Sequence, residues 1–483
     1  MLREERKILS SEISFMTAME MASLIRKKEL SVVEVVEAHL KQIEQFNPLV
    51  NAIVTLVAQE AIEQAREADK ILLQGKKTGI LHGIPVLHKD LLETRGILTT
   101  YGSLAYKDYI PSYDCLPVER LKKAGAITLG KTNTAEFGAG SQTFNAIFGK
   151  TLNPYDITKT CGGSSGGSSV ALACGMAPLA TGTDAAGSLR NPASFCNVVG
   201  FRTSPGRIPL YSRWNAWNSF SVTGPMARTV SDVALLLSVM AGPDIRSPIS
   251  LQEPGSIFLQ TLKRNFKGIH VAFASDMGGL PFDPLVKKIV NEQKNIFYSL
   301  GCIIEEEEPD FTGVDEAYKT WRAWDYELIL GDNLENYRNK FKDTLIWNVE
   351  EGARLTGPEI ARAERVRTEL YHRMRIFMEK YDFFILPVSQ VLPFDVNQEY
   401  LKEIEGVKME TYIDWQKTCY YISFTGNPSI SVPCGFTSEG LPVGLQIVGK
   451  YHDDLGVLQL AYAFEEATEF YKRRPPMVME RET

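Results

Sequence analysis

The chain has 483 residues, 44% of them hydrophobic and 23% charged, the composition of a globular protein with a large core. Its net charge of −7 comes with no basic stripe, which argues against nucleic-acid binding by phosphate neutralisation. Met1 to Lys7 have no apolar core behind them and no apolar run reaches the ~18 residues of a membrane span, so a cytoplasmic protein without signal or membrane segment is expected.

In chain order, residues 15–45 read as two helices, the second opened by the capping-box pattern Ser31-Val32-Val33-Glu34 and stopped by Asn47-Pro48. A strand over 52–57, a helix over 58–74 closed by Gly75, and an apolar strand over 83–90 that ends on Lys89 follow. Then come a helix over 118–123, a strand over 126–129, a loop over 134–148, a strand over 197–202 and a helix over 230–240. Residues 268–400 change character, with strands at 269–274 and 302–304 around a helix over 286–300, then a long helical, aromatic stretch over 315–380. Core strands are expected over 427–433 and 444–449, and a closing helix over 455–468. The expectation is one α/β domain over 1–483, with a catalytic core over 60–240, an inserted or cap region over 268–400, and core strands with a closing helix over 415–470.

The seven cysteines are scattered and odd in number, as in a reducing compartment. No CxxC or Cys/His cluster is present and the six histidines are dispersed, so no metal site is expected. Between Cys161 and Gly206, two loops rich in glycine and serine bracket an apolar helical stretch, Val170 to Gly175. Glycine loops of this kind let consecutive N–H groups converge on a developing negative charge.

Two familiar formulas also occur. Gly125 to Thr132 matches the P-loop, but its middle, Ala126-Ile127-Thr128-Leu129, reads as the strand itself rather than a phosphate-wrapping loop. Gly162-Gly163-Ser164-Ser165-Gly166 matches the nucleophile elbow, but it does not directly follow a buried strand, and His270, His372 and His452 lie in no distinctive context. No serine has a lysine three positions on, which closes the penicillin-binding type of site. With histidine poorly placed, a neutral lysine is the remaining base for a serine nucleophile, and Lys89 is the candidate. A free lysine has a pKa of ~10.4, so such a base needs a dry, tightly hydrogen-bonded setting.

The motifs Gly83-Ile84-Pro85-Val86-x-x-Lys89-Asp90, Gly130-Lys131-Thr132-Asn133, Gly162 to Ser168, Gly182 to Ala193, Gly224 to Asp232 and Pro428 to Gly435, in this order, resemble the amidase signature family. The resemblance covers the chain outside 268–400. It implies an αβα sandwich on a mixed, twisted sheet of about eleven strands, and hydrolysis of carboxylic amides by water without metal or cofactor. Position by position, it implies Lys89 as base, Ser188 as acyl-forming nucleophile, and Ser164, after a cis peptide from Gly163, as the intermediate serine. The backbone N–H groups of Ala185, Ala186, Gly187 and Ser188 are implied as the oxyanion hole. Asp184 and Arg190 are implied to brace that loop, Ser165 to bond Lys89, and Gly138, Ala139 and Gly140 to edge the substrate cleft.

Two departures stand out. Ala186 replaces a usual glycine, which would be strained if that position needs φ > 0, and Cys161 replaces a frequent proline. All six tryptophans fall between Trp214 and Trp415, some expected in the core and some around an apolar pocket for an aryl or acyl group. The stretch Ser275 to Pro281 and the Ser188-Leu189-Arg190-Asn191-Pro192 ending resemble stand-alone bacterial amidases of the aryl-acylamidase sort. The amidotransferase component of the tRNA-dependent glutamine pathway that shares the serine-lysine core, and a catalytically inactive binding homologue, remain alternatives. Oligomeric state stays open, a homodimer included.

Overall fold

A computed structural model describes residues 9–212 and 214–482. Its centre is an eleven-stranded mixed sheet flanked by helices. The strands are β1 (Ile53–Leu56), β2 (Pro85–Lys89), β3 (Ile127–Thr132), β4 (Leu179–Asp184), β5 (Val199–Arg202), β6 (Val222–Ala227), β7 (His270–Phe273), β8 (Ile303–Glu305), β9 (Phe383–Pro387), β10 (Ser429–Phe436) and β11 (Pro442–Gly449). Their order is β1-β3-β2-β4-β6-β5-β10-β11-β9-β7-β8. β2 runs parallel to both β3 and β4, β9-β7-β8 form a second parallel run, and the pairs between are antiparallel. Every residue of β2, β3, β6, β9 and β11 is buried, as expected of strands covered on both faces. The P-loop formula falls on β3, where Ile127 to Thr132 are strand.

The parallel register explains where the site forms. Val86 pairs with Leu179 and Leu87 with Ala180, so the carboxyl ends of β2 and β4 bring Lys89 beside Thr183 and Asp184. Crevices at the carboxyl ends of parallel strands are where open α/β sheets bind ligands. The helix Gly166–Ala173 is buried along its whole length. Gly167 permits its close approach to the sheet, because a Cβ there would lie 2.4 Å from Asn133 N and 2.6 Å from the Ala52 carbonyl oxygen.

Two helix boundaries differ from the sequence reading. The capping box of Ser31 and Glu34 forms, but the helix it opens runs from Val32 to Val50 with Pro48 inside its last turns. Asn51, in the left-handed conformation, ends it, and the Asn47 side chain takes the N–H groups of Ala52 and Ile53. The stretch 286–300 is two helices, Pro284–Glu292 and Lys294–Ser299. At the break, Gln293 Nε2 donates to the Ile289 carbonyl, displacing the backbone bond that would continue the helix. Within 268–400, β7, β8 and β9 extend the main sheet. The helix Val314–Leu330 from the same region packs against Asp343–Arg354, Gly357–Lys380 and Lys417–Thr425.

Candidate active site

Lys89 is fully buried at the end of β2. Its Nζ lies 2.7 Å from Ser164 Oγ and 2.8 Å from Thr183 Oγ1. Burial pushes its ammonium well below the ordinary lysine range, against the opposing pull of the Asp184 carboxylate. Thr183 lies within the Gly182 to Ala193 motif, but no contact with Lys89 is read for it from the sequence. Ser165, expected on Lys89, bonds elsewhere: its hydroxyl donates to the Thr183 carbonyl and accepts from the Thr183 N–H, both at 3.3 Å. The serine thus fixes the strand end that carries the second lysine partner.

Ser164 follows a cis Gly163–Ser164 peptide and is 1% exposed. Its turn is held by hydroxyls from the 134–148 loop: Thr143 Oγ1 donates to the Gly162 carbonyl and Ser141 Oγ to the Gly163 carbonyl, each at 2.9 Å. The second serine loop is tied to the first by the Ser165 N–H, which donates to the Ser188 carbonyl at 3.2 Å. Ser164 and Ser188 both line one cavity. Their hydroxyls are not hydrogen-bonded to each other; such contacts commonly close only when substrate is bound.

Asp184 organises the second loop. It is fully buried and accepts from the Gly187 N–H at 2.8 Å and the Leu189 N–H at 3.2 Å. Arg190 grips it through Nε and Nη2, both at 3.0 Å, and Arg202 reaches it at 3.4 Å. Burial alone would raise the Asp184 carboxyl, but Arg190 and Arg202 hold it well below the usual carboxylate range. Arg190 also donates to Gln446 Oε1 at 2.5 Å and Ser423 Oγ at 2.6 Å, joining the loop to β11 and to the helix Lys417–Thr425. Asp184 and Arg190 are therefore a buried brace; Arg202, Ser423 and Gln446 complete it from positions that sequence reading does not connect.

The Gly187 N–H is thus committed to Asp184, while the N–H groups of Ala185, Ala186 and Ser188 carry no hydrogen bond among the described residues. The left-handed residue of the loop is Gly187, at φ 111°, and Ala186 is not in that region. The alanine is accommodated without backbone strain. A Cβ on Gly187 would lie 2.4 Å from Cys419 Cβ. Gly187→Ala is accordingly expected to cost about 2–4 kcal/mol in a denaturant melt and most of the activity. Ala186→Gly is expected to leave turnover within about threefold, the small cost being loop entropy. The reverse ranking would show that the loop is built differently.

The cavity holds about 290 Å³. Ser164, Thr183, Ala185 and Ser188 line it beside an apolar wall that includes Leu91, Leu92, Phe137, Ile208, Leu210, Phe220 and Ile249. Gly138 faces this space, with a position for a Cβ 3.4 Å from Ser164 Oγ. Ala139 and Gly140 do not line it; they turn toward Lys342 and Tyr412, and Lys342 Nζ donates to the Ala139 carbonyl. Of the tryptophans, Trp214 lines the cavity and is 54% exposed. Trp415 is buried against Phe394, Trp321 packs on Trp324, and Trp347 on Tyr412.

The amidase family profile matches residues 34–458. The acylamidase of Rhodococcus erythropolis is 35% identical over 469 residues, 96% of this chain and 98% of that one. The A component of the glutamyl-tRNA(Gln) amidotransferase of Moorella thermoacetica is 34% identical over 497 residues, 96% of this chain and 99% of that one. The crystal structure of a bacterial aryl acylamidase of the amidase signature family superposes with a TM-score of 0.89 at 29% identity, covering 95% of this chain and 98% of that one. The chain belongs to the amidase family, the amidase signature enzymes. It is an amide hydrolase, acting on an amide and water.

Proposed function

We propose that the protein hydrolyses small apolar or aryl amides through Lys89, Ser164 and Ser188, by way of an acyl-enzyme on Ser188. The observation that carries this is the buried Lys89 amine, 2.7 Å from Ser164 Oγ at the wall of a cavity that Ser188 also lines. A neutral amine offers two N–H bonds and one lone pair. With an N–H on Thr183 Oγ1, the lone pair is free to draw the Ser164 proton. Ser164 then takes the proton of Ser188 as Ser188 Oγ attacks the amide carbon. The unoccupied N–H groups of Ala185, Ala186 and Ser188 receive the oxyanion, and the Gly187 N–H acts indirectly by fixing Asp184. The proton returns along the relay to the leaving amine as the C–N bond breaks. Water adds to the ester, its proton taken up by the same relay and returned to Ser188 Oγ as the ester C–O bond breaks and the acid departs.

The apolar part of the cavity wall favours an aryl or alkyl group beside the scissile amide. The amidotransferase reading has nearly equal sequence support, 34% identity against 35%. One assay separates the two. The purified chain alone, given the nitroanilide of a short acid, is expected to release nitroaniline at a steady rate. Inertness toward aryl and aliphatic amides, with ammonia released from glutamine only after the other amidotransferase components are added, would reverse the assignment.

A further inference from the structure

The cavity wall contributed by the helix Val314–Leu330 is not apolar. It presents Arg322 and Asp325, one helical turn apart, beside Tyr326 and Ile329. Neither residue is hydrogen-bonded to Lys89, Ser164 or Ser188. Asp325 Oδ1 accepts from Asn218 Nδ2 at 3.1 Å. Asn218 is itself locked, since its Oδ1 accepts the N–H groups of Phe220 at 2.7 Å and Ser221 at 3.1 Å. Among the described residues, Asp325 Oδ2 has no hydrogen bond and the carboxylate has no ion pair within 4.0 Å. The other carboxylate of the cavity, Glu93, differs: its Oε1 accepts from Tyr101 at 3.0 Å and Tyr113 at 3.3 Å.

Arg322 does not neutralise Asp325 by contact. Its guanidinium donates to Tyr412 Oη at 2.5 Å and lies over the rings of Tyr326 and Tyr412, 4.9 Å and 5.4 Å from their centroids. Its Nε is a buried polar atom without a partner among the described residues. The wall therefore combines a rigidly mounted carboxylate, one oxygen without a protein partner among the described residues, with a cation already engaged by aromatic faces. A partly desolvated carboxylate of this kind is stabilised by a ligand that brings a positive charge and N–H donors.

We propose that Asp325 is a specificity-determining residue, selecting amides that carry a protonated amine remote from the scissile bond. This rests on the proposed acyl transfer at Ser188 and deepens it by naming a substrate class. Burial pushes the Asp325 carboxyl up to about 6, against the pull of Arg322, so at pH 8 it is ionised and ready for a cation.

The test uses matched pairs of anilides at pH 8, each pair differing only in a terminal methyl against a terminal aminomethyl group. One pair carries the change on the acyl chain and the other on the aniline. The wild-type protein is expected to prefer the aminomethyl member of one pair by about 10-fold to 100-fold in kcat/KM, mostly through KM. Asp325→Asn, which retains an acceptor for Asn218, is expected to abolish that preference by raising KM for the aminomethyl member far more than for the methyl member, with an unchanged urea midpoint reporting that the fold is intact. Asp325→Glu is expected to restore part of the preference. Equal slowing of both members by Asp325→Asn, or a wild-type protein that hydrolyses the neutral anilides without preference, overturns the role of Asp325 alone. A wild-type protein that hydrolyses none of the anilides overturns the acyl-transfer reading beneath it.

Discussion

Ser188→Ala is expected to reduce amide turnover by about 10⁵-fold, near the full effect of losing a nucleophile that acts within a relay. The substitution removes one hydroxyl from a residue already 6% exposed, and the brace of Asp184 on the Gly187 and Leu189 N–H groups is untouched, so the fold is expected to survive. A fluorophosphonate should add one mass increment to the wild-type protein, on the peptide containing Ser188, and none to the variant. Ser164 sits a single proton transfer away, 2.7 Å from the amine, and is the informative control. If Ser164 takes the label while Ser188→Ala keeps its rate, the two serines have exchanged roles. Turnover within about tenfold of wild type would sink the relay altogether.

Lys89→Met carries the second large effect, a fall of about 10⁴-fold or more, with a distinct signature in pH. In the wild-type protein the rate should rise with pH as the buried ammonium loses its proton, because only the amine can accept from Ser164. Methionine fills nearly the same volume and ends that dependence. Stability should respond in a related way. The folded-state pKa of Lys89 lies below its unfolded value, so between the two the unfolded chain binds the extra proton. The associated stability is complete above the ordinary lysine range and is lost as pH falls toward the folded-state pKa. Urea melts should therefore show Lys89→Met gaining on the wild type as pH is lowered from about 11 toward 8. A variant whose stability difference ignores pH across that range would mean that the lysine is charged in the folded protein.

Much of this site can be read from short stretches of chain. Lys89, Ser164, Ser188 and Asp184 each sit in a dense local pattern, and β2 and β3 fall close to where apolar runs place them, while the buried helix expected over Val170 to Gly175 starts at Gly166, inside the stretch read as loop. What escapes such reading is long-range or chemically plain. Thr183 is a small hydroxyl on a strand, and only the parallel register of β2 with β4 turns it toward Lys89. Ser423 and Gln446 reach Arg190 from far along the chain, and nothing local to them announces it. For Ser165 the expected partner is wrong, because adjacency to Ser164 says nothing of which way a hydroxyl points after the turn. Gly138 to Gly140 read as one cleft edge, whereas the chain turns between Gly138 and Ala139 so that the two ends face different spaces. The helix end at Asn51, beyond Pro48, and the break at Gln293 are settled by side chains bonding to backbone. Propensity does not see such bonds.

The brace beneath the Ser188 loop has one further implication. Two guanidiniums, Arg190 and Arg202, surround a single carboxylate with all three groups sealed from water, so the knot is formally cationic by one unit. Solvent cannot relax that surplus. On the proposed relay, a tetrahedral adduct above the loop would set its negative charge over this surplus while the proton moves to Lys89, so the fixed guanidinium charge would favour the oxyanion at the summit of the reaction.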